Sequence, residues 1–220
     1  MSVYFKNITG AVDDYIYFNK GATFIDNPFT MNGWLYPQSP NSHRIAVAIQ
    51  YETSVGNRYY SIGMNAALNG VFAARAGVGT TLLNSTTTGT NNAWNMVTGV
   101  STSSTSRTVY LNNGGSATST VSRAVGACGH LTFGGIFSDV GVNATWEGYI
   151  AEFALWDVTL STDEITSLYK GAKASQIRPN NLVVYFPGIR SYKEITETLP
   201  SPTTTGGTNL SFGDHVRRYG

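Results

Sequence analysis

Glu147 and Glu152 are the residues whose type and spacing come nearest to catalysis. Two carboxylates about 5 Å apart serve as nucleophile and acid in retaining glycoside hydrolysis. On a regular strand, residues at these two positions point to opposite faces, so without a bulge the pair does not converge. The histidines His43, His130 and His215 are far apart and in no metal-ligand spacing. Cys128 and His130 share a strand face, but no further ligand stands nearby. They read as a small buried thiol beside a surface imidazole. No nucleophile elbow of the G-x-S-x-G type occurs, and Gly77-Val-Gly79 lies in a turn between strands rather than opening a helix over a phosphate. Asp13-Asp14, Asp26-Asn27 and Asp139 are the loop acids available to calcium. Adjacent acids at a strand start read as solvated turn residues, so no metal site is assigned and no cofactor is expected. Sugar binding needs aromatic faces for stacking and polar groups for hydroxyls. Trp34, Tyr36, Tyr59, Tyr60, Trp94, Trp146 and Trp156 qualify by type.

The elements that must position these residues are strands. Gly, Ser, Thr and Asn punctuate short runs rich in Val, Ile, Tyr, Phe and Trp. Strands are predicted over Asp14–Phe18, Phe29–Tyr36, Arg44–Tyr51, Tyr59–Met64, Gly70–Ala76, Thr81–Ser85, Trp94–Ser101, Arg107–Asn112, His130–Gly134, Gly148–Trp156 and Leu182–Phe186. In Arg44–Tyr51, alternation puts Ile45, Val47, Ile49 and Tyr51 on one face and Ala46, Ala48 and Gln50 on the other. Val109 and Leu111 oppose Thr108 and Tyr110 in the same way. Tyr149–Trp156 is apolar on both faces and reads as a central strand. One helix is marked, near residues 162–170. Ser161 and Glu164 form a capping box, Ile165, Leu168 and Tyr169 make the apolar stripe, and Gly171 ends it. Ser101–Ser106 reads as a polar turn, and Pro200–Asn209 as a linker or surface excursion. So many strands with one helix predict an all-β, two-sheet antiparallel jelly-roll sandwich. Residues 1–13 are expected as an N-terminal arm or edge strand, 14–190 as the sandwich domain, and 191–220 as a C-terminal extension packing on or extending from it.

Composition narrows the function classes. Of 220 residues only 12% are charged, against a usual ~25%, with Lys and Arg totalling 14 and Asp and Glu 13. This balance excludes a protein that binds nucleic acid by neutralising phosphates. A hydrophobic share of 41% excludes disorder. No apolar run approaches the roughly 20 residues of a membrane span. The single cysteine precludes an intramolecular disulfide. The start, MSVYFKNITG, lacks the basic and apolar regions of a signal peptide, so folding in a reducing compartment is expected.

Several segments resemble one family. Phe29-Thr-Met-Asn-Gly-Trp-Leu-Tyr-Pro37 resembles the FTisaWvkP strand of laminin-G-like, concanavalin A-type domains. Trp94-Asn-Met-Val-Thr-Gly-Val100 is similar to their WhhvagV strand, and Arg107-Thr-Val-Tyr-Leu-Asn-Asn113 to their rlYvNG strand and turn. Trp146–Trp156 resembles f.G.idevriWn, and Leu160–Ile165 the aLsaeEI that follows. Their order and spacing carry the resemblance over roughly residues 14 to 171. It implies a curved jelly roll, on which lectins, glycoside hydrolases and structural modules all occur. Glycoside hydrolases of this fold carry E-x-D-x-x-E; here Tyr149 stands at the position of the Asp, and Glu152 matches an acid of non-catalytic members. No enzyme activity is therefore expected. The resemblance makes Trp34, Trp94 and Trp156 framework residues, leaving Tyr36, Tyr59 and Tyr60 as the ligand-binding candidates.

The expected function is a structural or adhesion module, a phage virion surface protein of the capsid-decoration or tail-associated kind, made in the host cytoplasm. A free carbohydrate-binding lectin is the alternative. Expected partners are other virion subunits, with surface glycans and copies of the chain itself as further candidates; no nucleic acid and no membrane insertion are expected.

Overall fold

The computed structural model describes residues 2–5, 15–19, 25–39, 44–51, 58–77, 79–138, 141–187, 203–205 and 212–213. The strands in chain order are β1 (Ser2–Phe5), β2 (Tyr15–Asn19), β3 (Phe29–Pro37), β4 (Arg44–Gln50), β5 (Tyr59–Met64), β6 (Asn69–Ala76), β7 (Gly79–Thr88), β8 (Asn95–Ser103), β9 (Ser106–Leu111), β10 (Gly114–Ser119), β11 (His130–Phe133), β12 (Ile136–Ser138), β13 (Gly141–Asn143), β14 (Gly148–Trp156), β15 (Leu182–Phe186), β16 (Thr203–Thr205) and β17 (Phe212–Gly213). One α-helix, α1 (Thr162–Tyr169), follows β14.

Two antiparallel sheets form a sandwich. The first runs β10-β9-β8-β3-β14-β1-β17, with β15 also paired to β14; the second runs β16-β2-β11-β4-β5-β6-β7. Alternation along the strands fills the space between them. Phe29, Met31, Leu35, Val97, Val109, Leu111, Ile150, Phe153 and Phe186 of the first sheet meet Ile16, Phe18, Val47, Ile49, Tyr60, Ile62, Phe72, Leu131 and Phe133 of the second in one buried cluster. Burial of this kind stabilises by about 25 cal/mol per Å² of apolar surface and is the main force holding the sheets together.

The predicted strands are present with small shifts of their ends. Where faces were misassigned, a bulge is the cause. The register of β4 against β5 slips between Ile45 and Val47. Ala46 consequently joins the inner cluster, while Ile45 joins Ala48 and Tyr59 on the outer side. The strand β10, GGSATS, has one β-branched residue, Thr118, and no aromatic to announce it. It forms because Asn112 and Asn113, at φ 57 and 83, make the left-handed turn that folds it back on β9.

Parts of the expected arm or edge strand and of the expected linker or surface excursion form strands. β1 pairs with both β14 and β17, so residues 2–5 lie within the first sheet. Within Pro200–Asn209, Thr203–Thr205 pairs with β2, as three β-branched residues in a row favour. The remainder of residues 6–13 and of that segment, and the whole of 214–220, lie outside the described residues.

The helix has the predicted cap. Ser161 accepts from the Glu164 amide at 3.3 Å, and the Ser161 amide donates to the Glu164 carboxylate at 2.8 Å. Ile165 and Leu168 pack on the outer face of the first sheet against Met96, Val100, Ala154, Trp156 and Tyr185. Half of that face is thereby covered.

Candidate functional site

The other half of that face carries a row of aromatic rings. It follows from register. Tyr4 of β1 lies opposite Tyr149 of β14, and Tyr149 lies opposite Tyr36 of β3. Leu35 pairs with Asn95, which sets Trp94, one residue before β8, beside Tyr36. Neighbouring strands lie ~4.8 Å apart, so residues opposite one another on successive strands make a row across the sheet. Ring centroids are 4.9 Å apart for Tyr4 and Tyr149, 5.6 Å for Tyr149 and Tyr36, and 5.5 Å for Tyr36 and Trp94. The last two pairs are edge-to-face, the arrangement favoured by the ring quadrupole. All four side chains are half-buried, so faces and edges remain at the surface. Beside the row, Trp34 stacks on Tyr169 at the end of α1, centroids 5.9 Å apart, marking the border with the covered half.

Gly148 makes the row feasible. Its φ is +136°, and a Cβ there would stand 2.0 Å from the Tyr36 carbonyl oxygen. No other residue lets β14 approach β3 at this point without moving the backbone.

A bulge then interrupts β14. Ala151 pairs with Trp34 and Ala154 with Asn32, leaving Glu152 and Phe153 opposite Gly33. Glu152 takes the left-handed conformation at φ 53. This shift brings its carboxylate to the outer face, where it accepts a hydrogen bond from the Tyr185 hydroxyl. The bulge also divides the edge of β14 between two partners: β1 before it and β15 after it. The alternation expected for Glu147 and Glu152 therefore does not hold. Glu152 is engaged with Tyr185, and the position between the glutamates belongs to Tyr149 of the aromatic row.

The outer face of the second sheet is built differently. Gln50 and Thr132, fully buried, are joined by a 2.9 Å bond from the threonine hydroxyl to the amide oxygen. The Tyr17 hydroxyl lies 2.6 Å from Nδ1 of His130, and the two rings stack. Burial disfavours the charged imidazole and lowers the His130 pKa. Ile136 at the start of β12 packs over Ile45, Ala48, Tyr59 and Ala73. This part of the face is buried, whereas on β7 the outward Leu82 is exposed.

The three tyrosines singled out from the sequence thus separate. Tyr36 stands in the aromatic row. Tyr60 is fully buried between the sheets, its ring edge-on to Phe29 and its hydroxyl bonded to Asn27 at 3.0 Å. Tyr59 is 5% exposed beneath β12. Neither Tyr59 nor Tyr60 forms a surface platform, because adjacent strand residues point to opposite faces and here both faces are covered. Trp156 is buried as expected, whereas Trp34 and Trp94 stand partly exposed on the outer face. Tyr4 and Tyr149 were missed because their pairing partners are distant in sequence. The one available signal was parity along β3, which puts Trp34 and Tyr36 on the same face.

Asp26 is exposed and its carboxylate accepts from the Asn27 amide at 2.7 Å. Asp13, Asp14, Asp139, His43 and His215 lie outside the described residues. Among the described residues no three His, Cys, Asp or Glu side chains converge, so these do not assemble the 6–8 oxygen shell that calcium requires. Cys128 is in the core cluster, where burial pushes its thiol pKa strongly up, while His130 sits on the outer face with Tyr17.

Comparisons with known proteins bear on the fold. A search of curated protein sequences finds no match. Among solved structures, the heptameric SAP-like pentraxin of Limulus polyphemus superposes with a TM-score of 0.64 at 14% identity, over 92% of this chain and 93% of that one. A Bacteroides ovatus protein assigned to carbohydrate binding gives 0.64 at 16% identity, over 93% of this chain and 58% of that one. The CBM40 domain of the Ruminococcus gnavus IT-sialidase, bound to α2,3-sialyllactose, gives 0.53 at 13% identity, over 64% of this chain and 82% of that one. The profile of the concanavalin A-like lectin/glucanases superfamily matches residues 9–166. The chain belongs to that superfamily.

Proposed function

We propose that this concanavalin A-like domain is a non-enzymatic adhesion module that binds glycans on the open half of its first sheet. One observation carries the reading: Tyr4, Tyr149, Tyr36 and Trp94 form an unbroken, partly exposed row across β1, β14, β3 and the residue before β8. Sugar rings offer C–H faces that stack on aromatic rings, and hydroxyls that pair with phenol groups. A hydrogen-bonded sheet holds its rings in fixed positions, so little ordering cost attaches to binding. The carbohydrate-binding neighbours support the same reading. A non-catalytic role is supported by Glu152 being bonded to Tyr185 and by an aromatic residue between the two glutamates. The test is a glycan array with the wild-type protein and Tyr36→Ala. Saturable binding that Tyr36→Ala weakens supports the proposal. Hydrolysis of a β-glucan, abolished by Glu147→Gln, would refute its non-enzymatic part.

The proposed setting is the surface of a phage-type virion, on the capsid or tail, after synthesis in the host cytoplasm. Its support is compositional: with 12% charged residues, the surface meets another protein without desolvating many charges. Saturating binding to purified capsids is the expected result. A chain that ignores capsids yet binds a defined sugar is a free lectin instead.

A further inference from the structure

We infer, on the premise that the aromatic row is the glycan site, that Glu147 is its specificity-determining residue and that the ligand is a glycan with a free vicinal diol, a pair of hydroxyls on adjacent ring carbons. A polar row lies beside the aromatic one. Gly148 pairs with Pro37 and Tyr149 with Tyr36, and the Gln38 amide donates to the Glu147 carbonyl at 3.2 Å, so the ladder continues with Glu147 opposite Gln38. The Asn92 amide donates to the Pro37 carbonyl at 2.9 Å, which sets Asn92 beside Gln38 as Trp94 is set beside Tyr36. Burial follows the same alternation. Trp146, Ile150 and Leu35 lie in the core between the sheets, while Glu147, Tyr149, Tyr36 and Gln38 are half-buried and Asn92 is exposed. Glu147, Gln38 and Asn92 therefore run parallel to Tyr149, Tyr36 and Trp94 on one face, a pleat repeat of about 7 Å away. The rows suit the different sides of a sugar. Aromatic rings take its C–H faces. An ionised carboxylate only accepts and has a pair of oxygens, so neighbouring hydroxyls donate to it together, in charge-assisted bonds about twice as strong as neutral ones. The amides of Gln38 and Asn92 both donate and accept, which suits the remaining hydroxyls. Among the described residues nothing donates to the Glu147 carboxylate, whereas Glu152, beyond the bulge, accepts from Tyr185.

The probes are gluco-, manno- and galacto-configured oligosaccharides on one array, followed by titration calorimetry of the tightest binder and its monodeoxy analogues. The proteins are wild type, Glu147→Gln, Glu147→Ala and Tyr36→Ala, each checked by thermal melting. Glu147→Gln keeps the shape of the side chain and removes its charge, and is expected to weaken binding about tenfold. Loss of either hydroxyl of one vicinal pair is expected to cost wild type about tenfold but Glu147→Gln only about threefold or less, because the groups are coupled. A Glu147 that only supported the fold would leave the deoxy analogues equally weakened in both proteins. That result would overturn the inference and leave the glycan site standing. So would binding by Glu147→Gln and Glu147→Ala within about twofold of wild type while Tyr36→Ala binds weakly. Absence of binding to any member, or equal binding by wild type and properly folded Tyr36→Ala, would overturn both the inference and the glycan site. Wild type that binds every monodeoxy analogue as tightly as the parent also overturns the inference, and this arm needs no variant, so it decides the matter even where a substituted chain fails to fold.

Discussion

The outer faces of the two sheets begin from similar material and end differently. Both carry tyrosines and polar residues on alternating strand positions. On the second sheet, the Thr132 hydroxyl donates to Gln50, the Tyr17 hydroxyl and His130 Nδ1 are hydrogen-bonded, and Ile136 of β12 packs with Tyr59. On the first sheet, α1 covers one half, while the half bearing Tyr4, Tyr149, Tyr36 and Trp94 keeps partly exposed rings. The residue types are therefore a poor guide to which face can meet a ligand. What the chain later lays over each face decides it. Hydrogen-bonded polar pairs fix the second sheet's face, and partly exposed aromatic rings mark the proposed binding face of the first.

Substitutions separate the roles, beginning with the largest effect. Trp156→Ala, under α1, is expected to cost about 3–5 kcal/mol of stability, read by denaturant unfolding, because it empties a fully buried site. Gln50→Leu on the second sheet's face removes the acceptor of the Thr132 hydroxyl and is expected to cost about 1–3 kcal/mol. Its glycan affinity should equal that of wild type, and a large loss of binding would blur the contrast between the faces. Tyr36→Ala on the open face is expected to lose about 1 kcal/mol of binding energy, roughly fivefold in affinity by titration calorimetry, beyond any change in melting.

Acid provides the smallest and most specific effect. The native state lowers the His130 pKa by burial, so below the unfolded value of about 6.5 the unfolded chain takes up a proton that the native chain resists. This contribution to stability is complete above that pH and is lost as the pH falls toward the lower folded value. His130→Gln is expected to flatten that part of the stability profile while leaving glycan binding untouched.

Much of the fold was legible because its signals are local. Period-2 alternation marks strands such as Arg107–Asn112, and the Ser161–Glu164 box marks the helix. What escaped depends on contacts between distant segments. The bulge at Glu152 has no signature in Tyr149–Trp156, yet it reverses the expected direction of that carboxylate. Tyr36 was legible as a candidate, but its neighbours Tyr4, Tyr149 and Trp94 come from three other places in the chain and meet it only through register. Tyr59 and Tyr60 looked equally suitable by type; burial on both sides of β5 removes them.

The central claim is that glycan meets the open half of the first sheet. Titration of the isotope-labelled protein with an oligosaccharide identified on the array, followed by NMR, addresses it directly. The account predicts shifts concentrated at the Trp94 indole N–H and the rings of Tyr4, Tyr36 and Tyr149, with Tyr17, Gln50 and His130 unmoved. Shifts concentrated at Tyr17, Gln50 and His130, with the aromatic row silent, would contradict it.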